Sequence, residues 1–110
     1  MTIVKITKKQ GHICTVECDG HTNYGEYGED IVCSALSSVV QTAALGLMSV
    51  AGININLKRE EEKGYLLLEV PEDLSELQQI QADAILETML CGVSDLYQGF
   101  SDFIELEVKN

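Results

Sequence analysis

The chain has 110 residues, 45% of them hydrophobic, and its 18 acidic and 7 basic side chains give a formal net charge of −11. This length and apolar content predict one compact globular domain rather than a disordered tail. The negative charge argues against nucleic acid as a partner, because phosphate binding depends on clustered Lys and Arg. It favours a basic protein or peptide, although solubility alone explains an acidic composition as well.

We expect a cytosolic protein with reduced thiols. The N-terminal residues lack the apolar run of roughly 7 to 15 residues of a signal peptide. No stretch approaches the roughly 20 apolar residues of a membrane span. In the cytosol the four cysteines should stay reduced and do not indicate a disulfide framework; they are Cys14, Cys18, Cys33 and Cys91.

The first half of the chain predicts a hairpin, a loop and a helix. Residues 2–8 and 12–18 alternate between apolar and polar side chains, which predicts two paired strands. Residues 19–29 are polar and rich in glycine, fit neither period and are expected to form a mobile loop. From residue 30 to about residue 52, apolar side chains recur every three or four positions, which predicts a helix with Asp30 as its N-cap.

The second half predicts another hairpin, a longer helix and a last strand. Alternation over residues 53–58 and 65–70 indicates the hairpin. Residues 75–97 combine a capping-box pattern with a helical period, and residues 103–108 alternate again. The order β-β-α-β-β-α-β predicts an α+β fold, one domain over residues 1–110, with two helices packed on a mainly antiparallel sheet.

The most reactive side chains are expected around the start of the first helix. A cysteine in a first helical turn, as Cys33 is here, faces the positive end of the helix dipole and unpaired amides, which stabilise a thiolate. His21 lies twelve residues earlier, across the loop. It can take the proton of Cys33 as general base and return it to a leaving amine as general acid. Such a Cys-His pair carries out acyl transfer.

Asp30 and Ser37 each have two interpretations. Asp30 either orients the imidazole of His21 or only caps the helix, and the cap is favoured. Ser37 lies one turn after Cys33 on the same helix face, where its hydroxyl contacts substrate or bonds back to the helix. Spacing alone supports catalysis only weakly, because buried structural cysteines outnumber catalytic ones.

A metal site is the main alternative from the residues, since five side chains are of ligand type: His12, Cys14, Cys18, His21 and Cys33. Four strand residues span about 13 Å, whereas two sulfurs on one zinc lie within about 4.6 Å. Cys14 and Cys18 are therefore expected to be small apolar residues of a buried strand face, and Cys91 a core residue of the second helix. We predict no metal and no cofactor. A nucleotide-binding loop is disfavoured because the glycine-rich stretch lacks the Lys-Ser/Thr pair that holds phosphates.

The motif around Cys33 resembles that of the ribosomal-processing cysteine proteases called Prp. In that family Gly-His and Gly-x-Asp-x-x-Cys are followed by a Ser four residues after the cysteine. The matching residues here are Gly20, His21, Gly28, Asp30, Cys33 and Ser37. The predicted elements also look like the family layout over essentially the whole chain. One departure is Ser34, where the family often has Ala.

The resemblance implies a cytosolic bacterial protease that works as a homodimer. Its substrate would be the precursor of large-subunit ribosomal protein twenty-seven, from which it removes a short N-terminal extension in support of ribosome assembly. Cys33 matches the nucleophile and His21 the base. Four residues are candidates for substrate contact: Gly20, Gly28, Ser34 and Ser37. A basic precursor suits the negative charge of the chain. The alternative is a non-catalytic acidic module that binds a ribosomal protein without cutting it.

Three further expectations concern the surroundings of the catalytic pair. Three glycines are expected to let the loop open and close over an extended peptide, so that the pair is ordered only with substrate: Gly20, Gly25 and Gly28. Backbone amides near Cys33 are expected to form the oxyanion hole. The end of the second helix, with Tyr97 and Phe100, is a candidate dimer surface, although a core contact explains both aromatics equally well.

Overall fold

The computed structural model describes residues 1–21, 25–26 and 30–110. Most of the predicted glycine-rich loop, including Gly28, lies outside the described residues. Seven elements follow one another in the predicted order: β1 (Thr2–Lys9), β2 (His12–Asp19), α1 (Ile31–Ser49), β3 (Asn56–Glu60), β4 (Tyr65–Glu69), α2 (Glu76–Gly99) and β5 (Ile104–Lys109).

The strands form one five-stranded sheet in the order β3-β4-β2-β1-β5. Three neighbouring pairs are antiparallel, and β5 runs parallel to β1. The predicted α+β class is confirmed, with a mixed sheet that is mainly antiparallel. The topology places β2 beside β4 in antiparallel orientation. The C-terminal end of β2 therefore lies next to the turn that joins β3 to β4.

The core lies between one face of this sheet and the two helices. Alternate strand residues point into it, and the most completely buried among them include Val4, Ile6, Val16, Leu68 and Ile104. Each helix contributes a row of buried side chains that recur every three or four residues. On α1 the buried residues are Val32, Leu36, Val40, Ala43, Ala44 and Leu47. This packing fixes the orientation of α1 and therefore of the residues at its start.

Some apolar residues of the two predicted helical periods are exposed instead of buried. Val50 is the C-cap of α1 and is exposed. Leu77 and Ile80 of α2 are exposed as well, since its buried stripe is Ala82, Leu86, Met89 and Val93. Cys91 is exposed, not a core residue. It follows Met89 by two positions, which is roughly 200° around a helix and therefore on the opposite side.

The third strand is displaced from its predicted position. The alternating segment 53–58 suggested a strand, whereas β3 covers Asn56–Glu60. Ile53 is buried, and its N–H donates to the Leu47 carbonyl at 2.9 Å, so its apolar side chain packs at the end of α1. All five residues of β3 are exposed at the edge of the sheet. The first half of the alternating segment therefore reflects packing at the helix end, and its last three residues lie in β3 as predicted.

Helix α1 has the length and composition of a membrane span, with 19 residues and a hydropathy of 1.7. The expectation that no stretch approaches a span is wrong by these two criteria. However, six of its side chains are buried in the core of the domain. The core helix of a globular protein meets the same criteria, so this feature by itself does not indicate a membrane.

Candidate functional site

A pocket of about 370 Å³ lies between the start of α1, the end of β2 and the turn that joins β3 to β4. It is lined by six of the seven residues predicted to act in catalysis or to contact substrate: Gly20, His21, Asp30, Cys33, Ser34 and Ser37. The seventh, Gly28, lies outside the described residues. Folding thus brings the loop histidine and the helix cysteine to one cavity.

The central contact of this pocket joins Cys33 and His21. The Sγ of Cys33 lies 4.0 Å from Nδ1 of His21. Cys33 is the third residue of α1 and is partly exposed. A contact of this length is at the outer limit for sulfur, and catalytic hydrogen bonds in unliganded enzymes are often long. The pair is therefore in place for proton transfer from thiol to imidazole.

The second ring nitrogen of His21 contacts the backbone. Nε2 lies 2.9 Å from the carbonyl oxygen of Glu62, in the turn between β3 and β4. A carbonyl oxygen only accepts, so this hydrogen bond requires the proton on Nε2. In the neutral imidazole the lone pair is then on Nδ1, which faces Cys33. This contact with the Glu62 carbonyl orients the ring of His21.

The segment leading into His21 is held by neighbouring backbone. Thr2, which is buried, donates its hydroxyl to the Gly20 carbonyl at 2.8 Å, and the Gly20 N–H donates to the Gly64 carbonyl at 3.1 Å. Gly20 has φ 97°, and a Cβ there would lie 2.6 Å from the Met1 carbonyl oxygen. Gly20 is therefore required for the close approach of these backbone segments. It was expected to be a flexible hinge of the loop, whereas in the structure hydrogen bonds hold it in place.

Asp30 occupies the N-cap of α1. Its Oδ1 accepts a hydrogen bond from the Cys33 N–H at 2.9 Å, and the residue is buried. This is the usual way in which an Asp satisfies an unpaired amide at a helix start. The structure thus places the carboxylate against the backbone of the nucleophile candidate.

The cap also changes the expected oxyanion hole. The Cys33 amide donates to the Asp30 side chain, and the Ser34 amide donates to the Asp30 carbonyl at 3.1 Å. Both amides closest to the thiol therefore already have acceptors. In this structure the cap and the first helical bond use these two amides, and the role of helix-start amides as the oxyanion hole stays a prediction.

Substitution of Asp30 separates its capping role from its charge. Asp30→Asn keeps a side-chain acceptor and should retain the free energy of unfolding, whereas Asp30→Ala should lower it by about 1 kcal/mol. Alkylation of Cys33 should not slow in Asp30→Asn, because removal of a nearby negative charge favours the thiolate. Thermal unfolding and iodoacetamide kinetics measure both effects. Slower alkylation in Asp30→Asn at unchanged stability would instead show that the carboxylate activates the site.

The two serines of the pocket differ in their surroundings. Ser34 is exposed, while Ser37 is partly buried and its hydroxyl oxygen accepts a hydrogen bond from the Gln41 side-chain amide. The Ser37 hydroxyl keeps its own hydrogen to donate. Substrate contact by either serine stays a prediction.

A second thiol, Cys18, lines the same pocket but is buried. Burial, reinforced by the charges of Glu17 and Cys33, raises the pKa of Cys18 to about 12. Because the thiolate is the nucleophilic form, Cys18 is unreactive at neutral pH. It does not compete with Cys33 in the pocket.

This difference predicts selective alkylation in the folded protein. Iodoacetamide at neutral pH should modify Cys33 and the exposed Cys91 while leaving Cys18 intact, and all of them should react once the chain is unfolded in denaturant. Mass mapping of the proteolytic fragments measures each site. Modification of Cys18 at the rate of Cys33 in the folded chain would contradict the assignment.

The five metal-ligand candidates do not form one cluster. Nδ1 of His12 lies 2.9 Å from an oxygen of Asp83 on α2, and the Cys14 thiol donates to the Thr7 carbonyl at 3.3 Å. Cys18, His21 and Cys33 line the pocket. In the part of the chain that the structure describes, no three His, Cys, Asp or Glu side chains are arranged to hold a metal ion.

The second hairpin supplies the pocket residues that sequence reasoning missed. Arg59 and Glu61, which form an ion pair, line the pocket together with Gly64 and Tyr65. The glycine in a charged stretch marked a turn in the sequence. Nothing in the sequence indicated that this turn lies against His21, because the contact depends on the pairing of β4 with β2.

The chain is similar to known proteins over most of its length. The family model described as cysteine protease Prp matches residues 1–105. The ribosomal processing cysteine protease Prp of Bacillus subtilis is 28% identical and covers 91% of this chain and 92% of its own length.

Two solved structures of the essential ribosomal processing protease Prp from Staphylococcus aureus are also similar. The complex with a covalently linked product peptide has a TM-score of 0.88 at 26% identity and covers 99% of this chain and 100% of that one. The complex with a substrate peptide has a TM-score of 0.82 at 25% identity, with the same coverage. Because the family match runs from β1 into β5, this chain belongs to the cysteine protease Prp family and is a cysteine protease.

Proposed function

We propose that the protein removes the N-terminal extension of large-subunit ribosomal protein twenty-seven by hydrolysis of one peptide bond, with Cys33 as nucleophile and His21 as general base and acid. The proposal rests on the 4.0 Å contact between Cys33 Sγ and His21 Nδ1 inside the pocket. The chain belongs to the cysteine protease Prp family, whose curated relatives are named ribosomal processing proteases. The extension would lie in the pocket with its scissile carbonyl carbon at Cys33.

The acylation half of the reaction begins at Nδ1 of His21. With the proton of the neutral ring on Nε2, Nδ1 accepts the Cys33 proton as sulfur attacks the scissile carbonyl carbon. The tetrahedral intermediate collapses when the C–N bond breaks. The imidazolium returns its Nδ1 proton to the leaving amine, which departs as the new N-terminus, and the acyl group remains on Cys33 as a thioester.

Deacylation uses the same atoms in reverse. Nδ1 of His21 takes a proton from a water molecule, whose oxygen attacks the thioester carbonyl carbon. The C–S bond breaks, and the imidazolium proton restores the Cys33 thiol. The extension leaves with a new carboxylate, so the cycle consumes one water molecule and needs no cofactor.

The charge around the pocket supports a basic substrate. Two acidic residues of the turn are already in ion pairs, Glu61 with Arg59 and Glu60 with Lys63. Glu62 and Glu26 are exposed nearby along the chain. Together with the net charge of −11, they create a negative potential that raises the association rate of a positively charged chain. A ribosomal protein precursor would carry the positive net charge that this potential attracts.

The test is to incubate the protein with the extended precursor and measure the masses of the products. One cut that releases the extension is expected, and the mature form without the extension should remain intact. An unrelated basic protein serves as the charge control. A stable complex with no change in mass would contradict the proposal and favour a non-catalytic binding module. Cleavage of other peptides only would reassign the substrate.

We also propose that the protein acts as a cytosolic homodimer. Large apolar side chains remain exposed on both helices, among them Ile31, Leu45, Met48, Leu77, Ile80 and Tyr97. Phe100 packs partly buried against the core, so of the two aromatics near the end of α2 Tyr97 is the one available to a partner. Sedimentation equilibrium should give twice the chain mass of 12.1 kDa, and the protein should fractionate with the soluble cell contents. The mass of one chain at all concentrations would contradict the dimer.

A further inference from the structure

We propose that the turn between β3 and β4 positions the catalytic imidazole, through the Glu62 carbonyl and through the absence of a side chain at Gly64. The inference rests on the proposed roles of His21 and Cys33. Gly64 and the Glu62 backbone would act through His21. They are positioning groups, because neither touches the reacting atoms of the substrate.

The first argument is the direction of the His21 ring. The Glu62 carbonyl oxygen lies 2.9 Å from Nε2, while Nδ1 faces the Cys33 thiol. Many catalytic histidines have their second nitrogen oriented by a carboxylate, which selects the tautomer. Here a backbone carbonyl holds that position, so the turn sets both the ring orientation and which nitrogen accepts the proton.

The second argument is the space at Gly64. Its φ is 63°, and a Cβ would lie 2.7 Å from the Gly20 carbonyl oxygen and 3.0 Å from Nδ1 of His21. Real Cβ atoms essentially never come closer than 3.0 Å to such neighbours. Any side chain at this position would therefore push against the backbone before His21 and against the ring nitrogen that serves Cys33.

The third argument is that the turn is held by its own closing hydrogen bond and by contacts with β2 and with Gly20, which follows β2. The Gly64 N–H donates to the Glu61 carbonyl at 3.0 Å, which closes the turn, and its carbonyl accepts from Gly20 at 3.1 Å. Next to it, the Tyr65 hydroxyl donates to a carboxylate oxygen of Glu17 on β2 at 2.8 Å. The position of the imidazole thus depends on the pairing of β4 with β2.

The chain offers a matched control for a substitution at Gly64. Gly52 has the same φ of 63°, but a Cβ there would meet nothing within 4 Å. Gly64→Ala and Gly52→Ala therefore introduce the same backbone strain, and only Gly64→Ala adds the contact with Gly20 and His21. The two variants are compared in precursor cleavage and in the pH dependence of Cys33 alkylation.

We expect Gly64→Ala to lower kcat by about 100-fold with little change in KM, because displacement of a catalytic group by about 1 Å has this effect. Alkylation of Cys33 should be slower in Gly64→Ala than in Gly52→Ala, because the added Cβ displaces Nδ1 of His21 from the thiol. Gly52→Ala should behave as the unmodified chain in both assays. Equal behaviour of the two variants would overturn the inference.

A second measurement does not depend on the folding of Gly64→Ala. In Cys33→Ala, nitrogen NMR of the neutral imidazole should show the His21 proton on Nε2, and a proton on Nδ1 would overturn the inference. Neither NMR nor alkylation requires peptide cleavage. If the unmodified chain fails to cut the precursor while Gly64→Ala alone alters Cys33 alkylation, the positioning holds and the proposed substrate fails.

Discussion

Cys33→Ala is expected to abolish cleavage of the precursor, with a loss of roughly 10⁶-fold in kcat, as when the nucleophile of a protease is removed. Without Sγ no thioester can form, and the buried Cys18 cannot replace it, since the pKa of its thiol is raised to about 12. Cys33 is partly exposed in the first turn of α1, and alanine has the most favourable helix propensity. The free energy of unfolding should therefore change by less than about 1 kcal/mol.

The matched control for this variant is Cys91→Ala. Cys91 is exposed on α2 and does not line the pocket. It should retain the activity of the unmodified protein, which shows that loss of a thiol as such has no effect. Mass spectrometry of the products and thermal unfolding test both variants. Precursor cleavage by Cys33→Ala at a measurable rate would remove the proposed nucleophile.

His21→Ala is expected to lower kcat by about 10²- to 10⁴-fold, the contribution usual for general acid–base catalysis. The remaining activity should rise with pH, because the thiolate then forms only as an unassisted thiol ionises, near pH 8.5 for a free cysteine. The variant also leaves the Glu62 carbonyl without its imidazole partner. Rates measured across a pH series separate this behaviour from a general loss of folded protein.

The other histidine of the chain provides the control. His12 pairs with Asp83 between β2 and α2, away from the residues that line the pocket. His12→Ala should lose some stability with this contact and keep its kcat. If both histidine variants lost activity equally, the effect would be structural and His21 would not be the base.

The parts of the fold that the sequence predicted well are those that local interactions determine. The Ser75–Gln78 capping box is present, with both reciprocal hydrogen bonds, and α2 begins at Glu76, directly after the N-cap Ser75. Asp30 is the N-cap of α1, as predicted, and its side chain accepts from the Cys33 N–H. Both capping contacts join residues that are three positions apart in the chain. They can therefore be predicted from local sequence without knowledge of tertiary contacts.

The errors arose where tertiary packing determines the outcome. The alternation that ends at residue 58 was assigned to a strand, but Ile53 packs at the end of α1. The site shows the same limit. Motif resemblance identified Cys33 and His21, while the Glu62 carbonyl reaches His21 only through strand pairing, and a backbone carbonyl has no residue signature.

The capping contact of Asp30 links helix stability to the electrostatics of catalysis. The Cys33 N–H, one of the helix-start amides predicted to face a developing oxyanion, already donates to the Asp30 carboxylate and stabilises the start of α1. A substitution at position 30 that released this amide would favour the transition state and weaken the helix at once. Selection for faster variants at this position should therefore recover proteins with lower melting temperatures, a stability–activity trade-off confined to one hydrogen bond.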